Sequence, residues 1–552
     1  MTTGTSSRSE LQERIEQYSQ DRTSIHRSYE IPMSALRREM MVDNIQHWQR
    51  IIGEIDFETL GQAGKVDYLL FGNHLRYEAR LIELEQEREK EIANLAPFWE
   101  LIVALEENRR KMEPLEARTG AERLTELKKA VEKAREETHK RQADGKEIKK
   151  TDAFRTEHML QSLRTTLKRW YDFYHGYDPL FTWWCEEPFR EADKSIETYA
   201  TYLRENVVGQ KEDDEAVIGE PLGRAALLNE LENAMIPYAP EELIAIGEKE
   251  FAWCEEEMIK ASRELGYGDT WHKALEYVKT CHVEPGKQPW LIKELALEAI
   301  EYVEDKELIS VPELARKTWR VGMMSPERQK VNPFFTGGEV ISVSYPTAGM
   351  TQGQKLMSMR GNNKHFARAT VHHELIPGHH LQGFMTARHK RYRRIFSTPF
   401  WGEGWPLYWE VLLWDLGFPK TPENRIGMLF WRMHRCARIV FSLSFHLEKM
   451  TARECIDYLV ERVGHELENA VAEVRRSFEG NYSPLYQCAY MLGGLQMRAL
   501  KKELVGSETM TYREFHDAVL KENSMPIEML RALLTGQPLQ REHKTLWRFY
   551  EA

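Results

Sequence analysis

The stretch Val371–Gln382, VHHELIPGHHLQ, carries four histidines and one glutamate around a central Pro377–Gly378 pair. Imidazole is a usual ligand for borderline-soft metals, and a Glu beside a ligating His is how metal hydrolases activate water. Two His-His doublets around an acid make poor core filler, because each buried imidazole needs a partner. The common zinc pattern sets two His at i and i+4 of one helix face, with Glu at i+1. Here His373–Glu374 supplies the first half, but Pro377 occupies i+4. His380 would share a face with His373 on an unbroken helix, yet seven residues rise about 10 Å. Zinc–nitrogen bonds are only about 2.0–2.1 Å, so a straight helix cannot close that gap. His379 would point elsewhere altogether.

Pro377 resolves this. It lacks the N–H that would bond the carbonyl of His373, and its ring crowds that carbonyl. Gly378 tolerates the backbone angles a break requires. A break at Ile376–Gly378 would draw His379 back toward His373. The expected ligands are therefore His373 and His379, with His380 as the alternative and His372 in a packing role. A third ligand is expected from a following helix in PFWGEGWPLYWEVLLW. Glu403 lies 24 residues after His379, and Glu410, seven residues on and on the same face, is the runner-up.

Outward from this motif, helical periodicity dominates. It predicts helices over 43–52, 65–84, 91–111, 121–141, 163–174, 194–206 and 222–237. A long amphipathic helix follows PYAPEEL, and helices continue from 364 to 534. The charge-rich segment 108–150 predicts a charged antiparallel hairpin or solvated arm. One region reads as strand, GEVISVSYP at 338–346, because β-branched residues cluster there. The expectation is a mostly α protein with one small β-sheet near residues 335–346. It comprises an N-terminal tail over 1–20 and a single domain over 21–552.

The 552 residues are 30% charged and 42% hydrophobic, as expected for a chain with a large core. A net charge of −11 argues against nucleic acid as a partner. The six cysteines are dispersed with no CxxC pair, which predicts reduced thiols. The N-terminus shows no apolar leader and no segment reaches eighteen apolar residues, so the expectation is a cytoplasmic protein with no membrane partner. Trp183, Trp184, Trp401, Trp405 and Trp409 are expected as packing anchors.

The order HELIPGHHLQ, GEGWPLYWEVL, RCARIVFSLSFH, AYMLGG and FHDAVLKENSMPIEML resembles a bacterial family known as domain of unknown function 885. VDYLLFGNHLRYEARLIELE and PYAPEELIAIGE resemble it too. That family looks related to gluzincin metallopeptidases of the angiotensin-converting-enzyme and thimet-oligopeptidase type. The resemblance implies a zincin-like fold with two lobes, about 21–330 and 331–552, around a deep cleft. It implies zinc on His373, His379 and Glu403, with Glu374 as general base. Tyr490 and His446 are candidate catalytic groups, and Tyr345, Arg435, Arg438 and His516 candidate substrate contacts. Tyr345, ending the strand, would accept substrate backbone by strand addition. The chain departs from the family at Pro484–Leu485–Tyr486–Gln487, where Pro-Gly-Gln-Ala is usual. The expected activity is zinc-dependent hydrolysis of a short peptide or other small amide-containing substrate. The alternatives are metal-dependent amide or ester hydrolysis or lysis of a small metabolite, and a non-catalytic binding protein.

Overall fold

A computed structural model describes residues 9–550 apart from 32, 212–216, 330–333 and 480–481. The protein is 71% helix, and the described residues form one two-stranded sheet. It divides into two compact units, one of residues 20–48 and 78–216, the other of 1–19, 49–77 and 217–552. Neither unit begins or ends near residue 330, the lobe boundary that the family resemblance implies. The first unit is an insertion bounded by residues distant in sequence from 330, and no composition shift marks its edges.

The inserted unit contains α1 (Ala117–Ala143), α2 (Lys150–Tyr174) and α3 (Pro179–Tyr202). The charge-rich segment forms no hairpin of its own. α1 buries Leu124, Leu127, Val131 and Ala134 and packs against α3. Their three-to-four spacing gives one apolar stripe, and the charges fall on the other faces. Tyr199 on α3 donates to the carbonyl of Leu95 at 2.7 Å and lies 2.9 Å from the Thr138 hydroxyl. Trp183 and Trp184 are exposed, not packing anchors. The helix expected over 91–111 begins only at Trp99, and the preceding helix ends at Ile92. Pro97 lies in the gap, where it disfavours helix at the residue before it.

The larger unit holds α4 (Pro240–Glu264), α5 (Gln288–Asp305), β1 (Arg320–Met323) and β2 (Val340–Val343). The strands pair in parallel, with Arg320 opposite Val340 and Met323 opposite Val343. β2 falls inside the expected strand, whereas β1, a four-residue RVGM, carries too little pattern to stand out. Next come α6 (Lys364–Glu374), α7 (His379–Thr386), α8 (Gly404–Asp415), α9 (Pro422–His446), α10 (Leu467–Glu479) and α11 (Tyr486–Leu504).

α6 is fixed on several sides. Its Ala367, Val371 and Leu375 side join Ile341 and Val343 of β2 and Ile292 and Ala296 of α5 in one cluster. α6 also packs on α8 and α9, and α9 packs on α4 and α11. α9 is buried from Ile426 to His446, including Arg432, Arg435, Arg438 and its histidines. Burial of this kind requires partners for each charge: Arg432 pairs with Glu250 of α4 at 2.8 Å, while the partners of Arg435 and Arg438 lie at the site below. α8 and α11 approach closely at Gly404 and Gly493. A Cβ on Gly404 would lie 2.6 Å from the backbone of Gly493, so side chains are excluded there.

Candidate metal centre

α6 stops at Glu374 and α7 starts at His379. The break sits where Pro377 predicts it. Leu375 leaves the helix at φ −109°, ψ −104°, and the Ile376–Pro377 peptide is cis. The turn is closed by hydrogen bonds from the N–H of Gly378 to the carbonyl of His372 and from the N–H of His380 to that of Leu375, each 3.0 Å. A side chain at Gly378 would collide with the carbonyl of His373. Trp405 Nε1 donates to the carbonyl of Pro377 at 2.9 Å and holds the turn against α8.

This turn brings the His373 and His379 rings to 5.0 Å between centroids, at 80°. Glu403, at the start of α8, completes the group. Its Oε2 lies 3.1 Å from His379 Nε2 and 3.8 Å from His373 Nε2. One ligand atom from each residue falls within 4.8 Å of the others. Tetrahedral ligands at zinc distances are separated by about 3.4 Å, so this donor set fits zinc. His373 is 1% exposed and His379 23%, so the group opens on the His379 side. His379 is pushed up to about 9: burial disfavours its charged form, but the Glu403 carboxylate more than offsets that. Burial likewise opposes the charge on Glu403, and His379 and His373 hold it well below the ordinary carboxylate range. His379 and Glu403 thus share a proton that a cation bound between them would displace.

Each ligand is held from behind. His373 Nδ1 lies 2.6 Å from Glu410 Oε1, which turns Nε2 toward the group. Glu410, the runner-up ligand, is therefore the carboxylate that orients His373. Burial would raise its pKa, but Arg435 and His373 hold it down. Arg435 lies 3.4 Å from it. The other oxygen of Glu403 accepts a 2.6 Å hydrogen bond from the Tyr486 hydroxyl. Tyr486 in turn lies 2.8 Å from the Tyr490 hydroxyl and accepts from Arg476 at 3.0 Å. Tyr490 stacks on His373 at 6.0 Å, and burial together with the Glu403 charge pushes it to about 12.

The other expected residues fall as follows. Glu374 lies under the Gly337–Gly338 turn, its carbonyl accepting from the N–H of Gly338 at 3.3 Å. It stands near enough to His379 to favour that ring's charge. Arg438 pairs with Glu473 at 2.7 Å and lies over the Tyr490 ring. His380 Nε2 is 2.8 Å from the carbonyl of Ala315, so its ring leaves the group and it drops out as a ligand. His372 packs edge-on against Phe418, and burial pushes it down to about 3. His446 accepts from the backbone N–H of Leu222 at 3.3 Å, a capping contact that replaces its expected catalytic role. His516 is buried between the Tyr408 hydroxyl and the carbonyl of Leu308, at 2.8 and 2.7 Å. With both nitrogens engaged it has none for a substrate. The N–H of Tyr345 is held by Gln329 at 3.1 Å. β2 pairs with β1 on one edge, and its Ser342 is bridged to Thr336 on the other, which leaves no room there for strand addition. Nothing in the sequence singles out Tyr486 or Arg476 as a site residue by type or spacing. Tyr486 lies within the departure at 484–487, the only sequence signal that pointed its way.

This arrangement defines a mostly helical protein with a buried His/His/Glu group at a broken helix. Residues 27–534 match the family described as bacterial protein of unknown function (DUF885), and the chain belongs to that family. No curated protein matches it. A solved structure titled "a putative lipoprotein of unknown function from Shewanella oneidensis" is 17% identical, with a TM-score of 0.68 over 94% of this chain and 98% of that one. "The putative lipoprotein from Colwellia psychrerythraea" is 16% identical, with a TM-score of 0.59 over 95% of this chain and 97% of that one. These likenesses establish a shared fold. The cytoplasmic placement is withdrawn on the same finding, because both neighbours are described as lipoproteins. Among the described residues, no helix is long and apolar enough to cross a membrane.

Proposed function

We propose that the chain is a zinc-dependent hydrolase of short peptides or peptide-like amides, with a zincin-like fold of the gluzincin kind. The observation that carries this reading is the convergence of His373, His379 and Glu403 within 4.8 Å at a helix break. Bound zinc supplies Lewis acidity toward the scissile carbonyl and the attacking water. Glu374 takes a proton from that water and returns it to the leaving amine. A C–O bond forms, the amide C–N bond breaks, and a carboxylate and an amine leave. The Tyr490 hydroxyl, which burial keeps protonated at neutral pH, would exchange its hydrogen bond to Tyr486 for one to the oxyanion. Glu410 and Tyr486 fix the ligand orientations on which this geometry depends.

The test is digestion of a synthetic peptide library by zinc-loaded protein, read by mass spectrometry, beside the Glu374→Gln variant. We expect cleavage by the parent chain and a loss of about 10²–10⁴-fold in the variant, at unchanged zinc content. Absence of cleavage would refute the peptidase reading and leave amides or esters of a small metabolite as the substrate. Equal cleavage by the variant would remove Glu374 as the base.

A further inference from the structure

Three arginines surround Tyr490 and Tyr486. Arg435 is matched by Glu410 and Arg438 by Glu473. Arg476 differs. Its guanidinium donates to the Tyr486 hydroxyl at 3.0 Å and not to a carboxylate, while its Nε, like Arg435 Nε and Arg438 Nη1, is covered with no hydrogen-bond partner. No carboxylate of the described residues lies at ion-pair distance from it; Glu473, which favours its charge from further off, is bound to Arg438. It is flanked by the rings of Tyr482 and Tyr486, at 5.0 and 5.5 Å. A largely covered guanidinium with no carboxylate at ion-pair distance among the described residues calls for an explanation. Its position supplies one. Arg476 is two hydrogen bonds from Glu403, through a single tyrosine hydroxyl.

We propose that Arg476 is the anchor for a substrate carboxylate, so that the site takes peptide-like amides bearing a carboxylate within one or two residues of the scissile bond. This rests on the hydrolase reading above. The planar fork of arginine suits a carboxylate, and aromatic walls on either side keep it flat and oriented. An extended chain advances about 3.3 Å per residue, which sets the one-to-two-residue span. The two paired arginines serve as internal controls, since their charges are already met by protein carboxylates.

The experiment uses the full, zinc-loaded chain carrying Glu374→Gln, so that bound peptide is not consumed. Calorimetry measures tetra-alanine with a free C-terminus, the same peptide as its C-terminal amide, and Ala-Ala-Ala-Asp amide. We expect the free acid to bind at least about ten-fold tighter than the plain amide, as charge-assisted hydrogen bonds allow. Tight binding of the Asp amide would assign the role to a side-chain carboxylate, and weak binding to the chain terminus. Adding Arg476→Gln should bring acid and amide within about two-fold, and Arg476→Lys should keep part of the preference. Circular dichroism checks the fold of each variant. The acid–amide comparison with Arg476 intact stands even if a variant misfolds. Equal binding of acid and amide, no binding of any peptide, or a preference that survives Arg476→Gln would overturn the proposal. Cleavage of acid and amide with equal kcat/KM would overturn the anchor and leave hydrolysis standing. A carboxylate preference with no cleavage would do the reverse.

Discussion

Two buried His/His/Glu groups occur in the larger unit, and they behave differently. His373, His379 and Glu403 aim one ligand atom each at a common point. In the other group, His434 Nδ1 and His465 Nε2 lie 2.9 Å apart and bond each other. Glu473 is 3.7 Å from His434 but accepts from Arg438 at 2.7 Å and Gln487 at 3.0 Å. Burial and the neighbouring cations, chiefly Arg438 for His434 and Lys279 for His465, keep both of these rings neutral. A cation there would meet arginine instead of free carboxylate. Among the described residues only the first group brings three ligand atoms within 4.8 Å. Composition and burial are therefore not enough to define a metal site. The direction of the lone pairs and the sign of the surrounding charge decide it.

The sharpest way to break this comparison is to remove a ligand. His379→Ala should reduce bound zinc from one per chain to near none, measured by elemental analysis after dialysis, because two ligands cannot hold the ion. Retention of zinc would disqualify His379.

The next effect is pH. In metal-free protein the raised pKa of His379, about 9 against an ordinary 6.5, contributes stability that is complete below about pH 6.5. That contribution is lost as pH rises to about 9. Glu403, with its depressed pKa, contributes above the ordinary carboxylate range and loses its share as pH falls. The melting temperature of the metal-free chain should therefore decline between pH 6.5 and 9. Zinc affinity should rise over that window by up to about ten-fold per unit, since binding displaces the proton. A flat affinity profile would contradict the His379–Glu403 pairing.

Smaller still are the supporting residues. Glu410→Gln and Tyr486→Phe should each weaken zinc about 10–100-fold by competition titration, without abolishing binding. The smallest effect on zinc belongs to the second group. Glu473→Gln should leave zinc affinity unchanged while lowering stability by about 3–5 kcal/mol, because Arg438 loses its buried partner. A change in zinc affinity there would erase the distinction between the two groups.

The helical class was legible because apolar residues recur at helical spacing along most of the chain. The His373–Glu374 half of the motif was legible for a local reason too, since ligand and acid are adjacent. Strand β1 was not, because four residues with a central glycine carry too little pattern. His446 and His516 could not be told from site residues by type alone. Their actual partners, the N–H of Leu222 and the carbonyl of Leu308, are more than two hundred positions away. The inserted unit of residues 20–48 and 78–216 was invisible for the same reason, as its halves meet only in space.

The sequence alone determined that the helix must break between His373 and His379. Proline lacks the amide proton the next turn needs, and that holds in any fold. Only the tertiary structure decided what the break serves. It set Glu403 against His379, gave Glu410 to His373, and left Arg476 beside Tyr486 with no carboxylate among the described residues. Those pairings join α7 and α6 to α8, and α10 to α11, and nothing local in the chain specifies which side chains of distant helices will face each other.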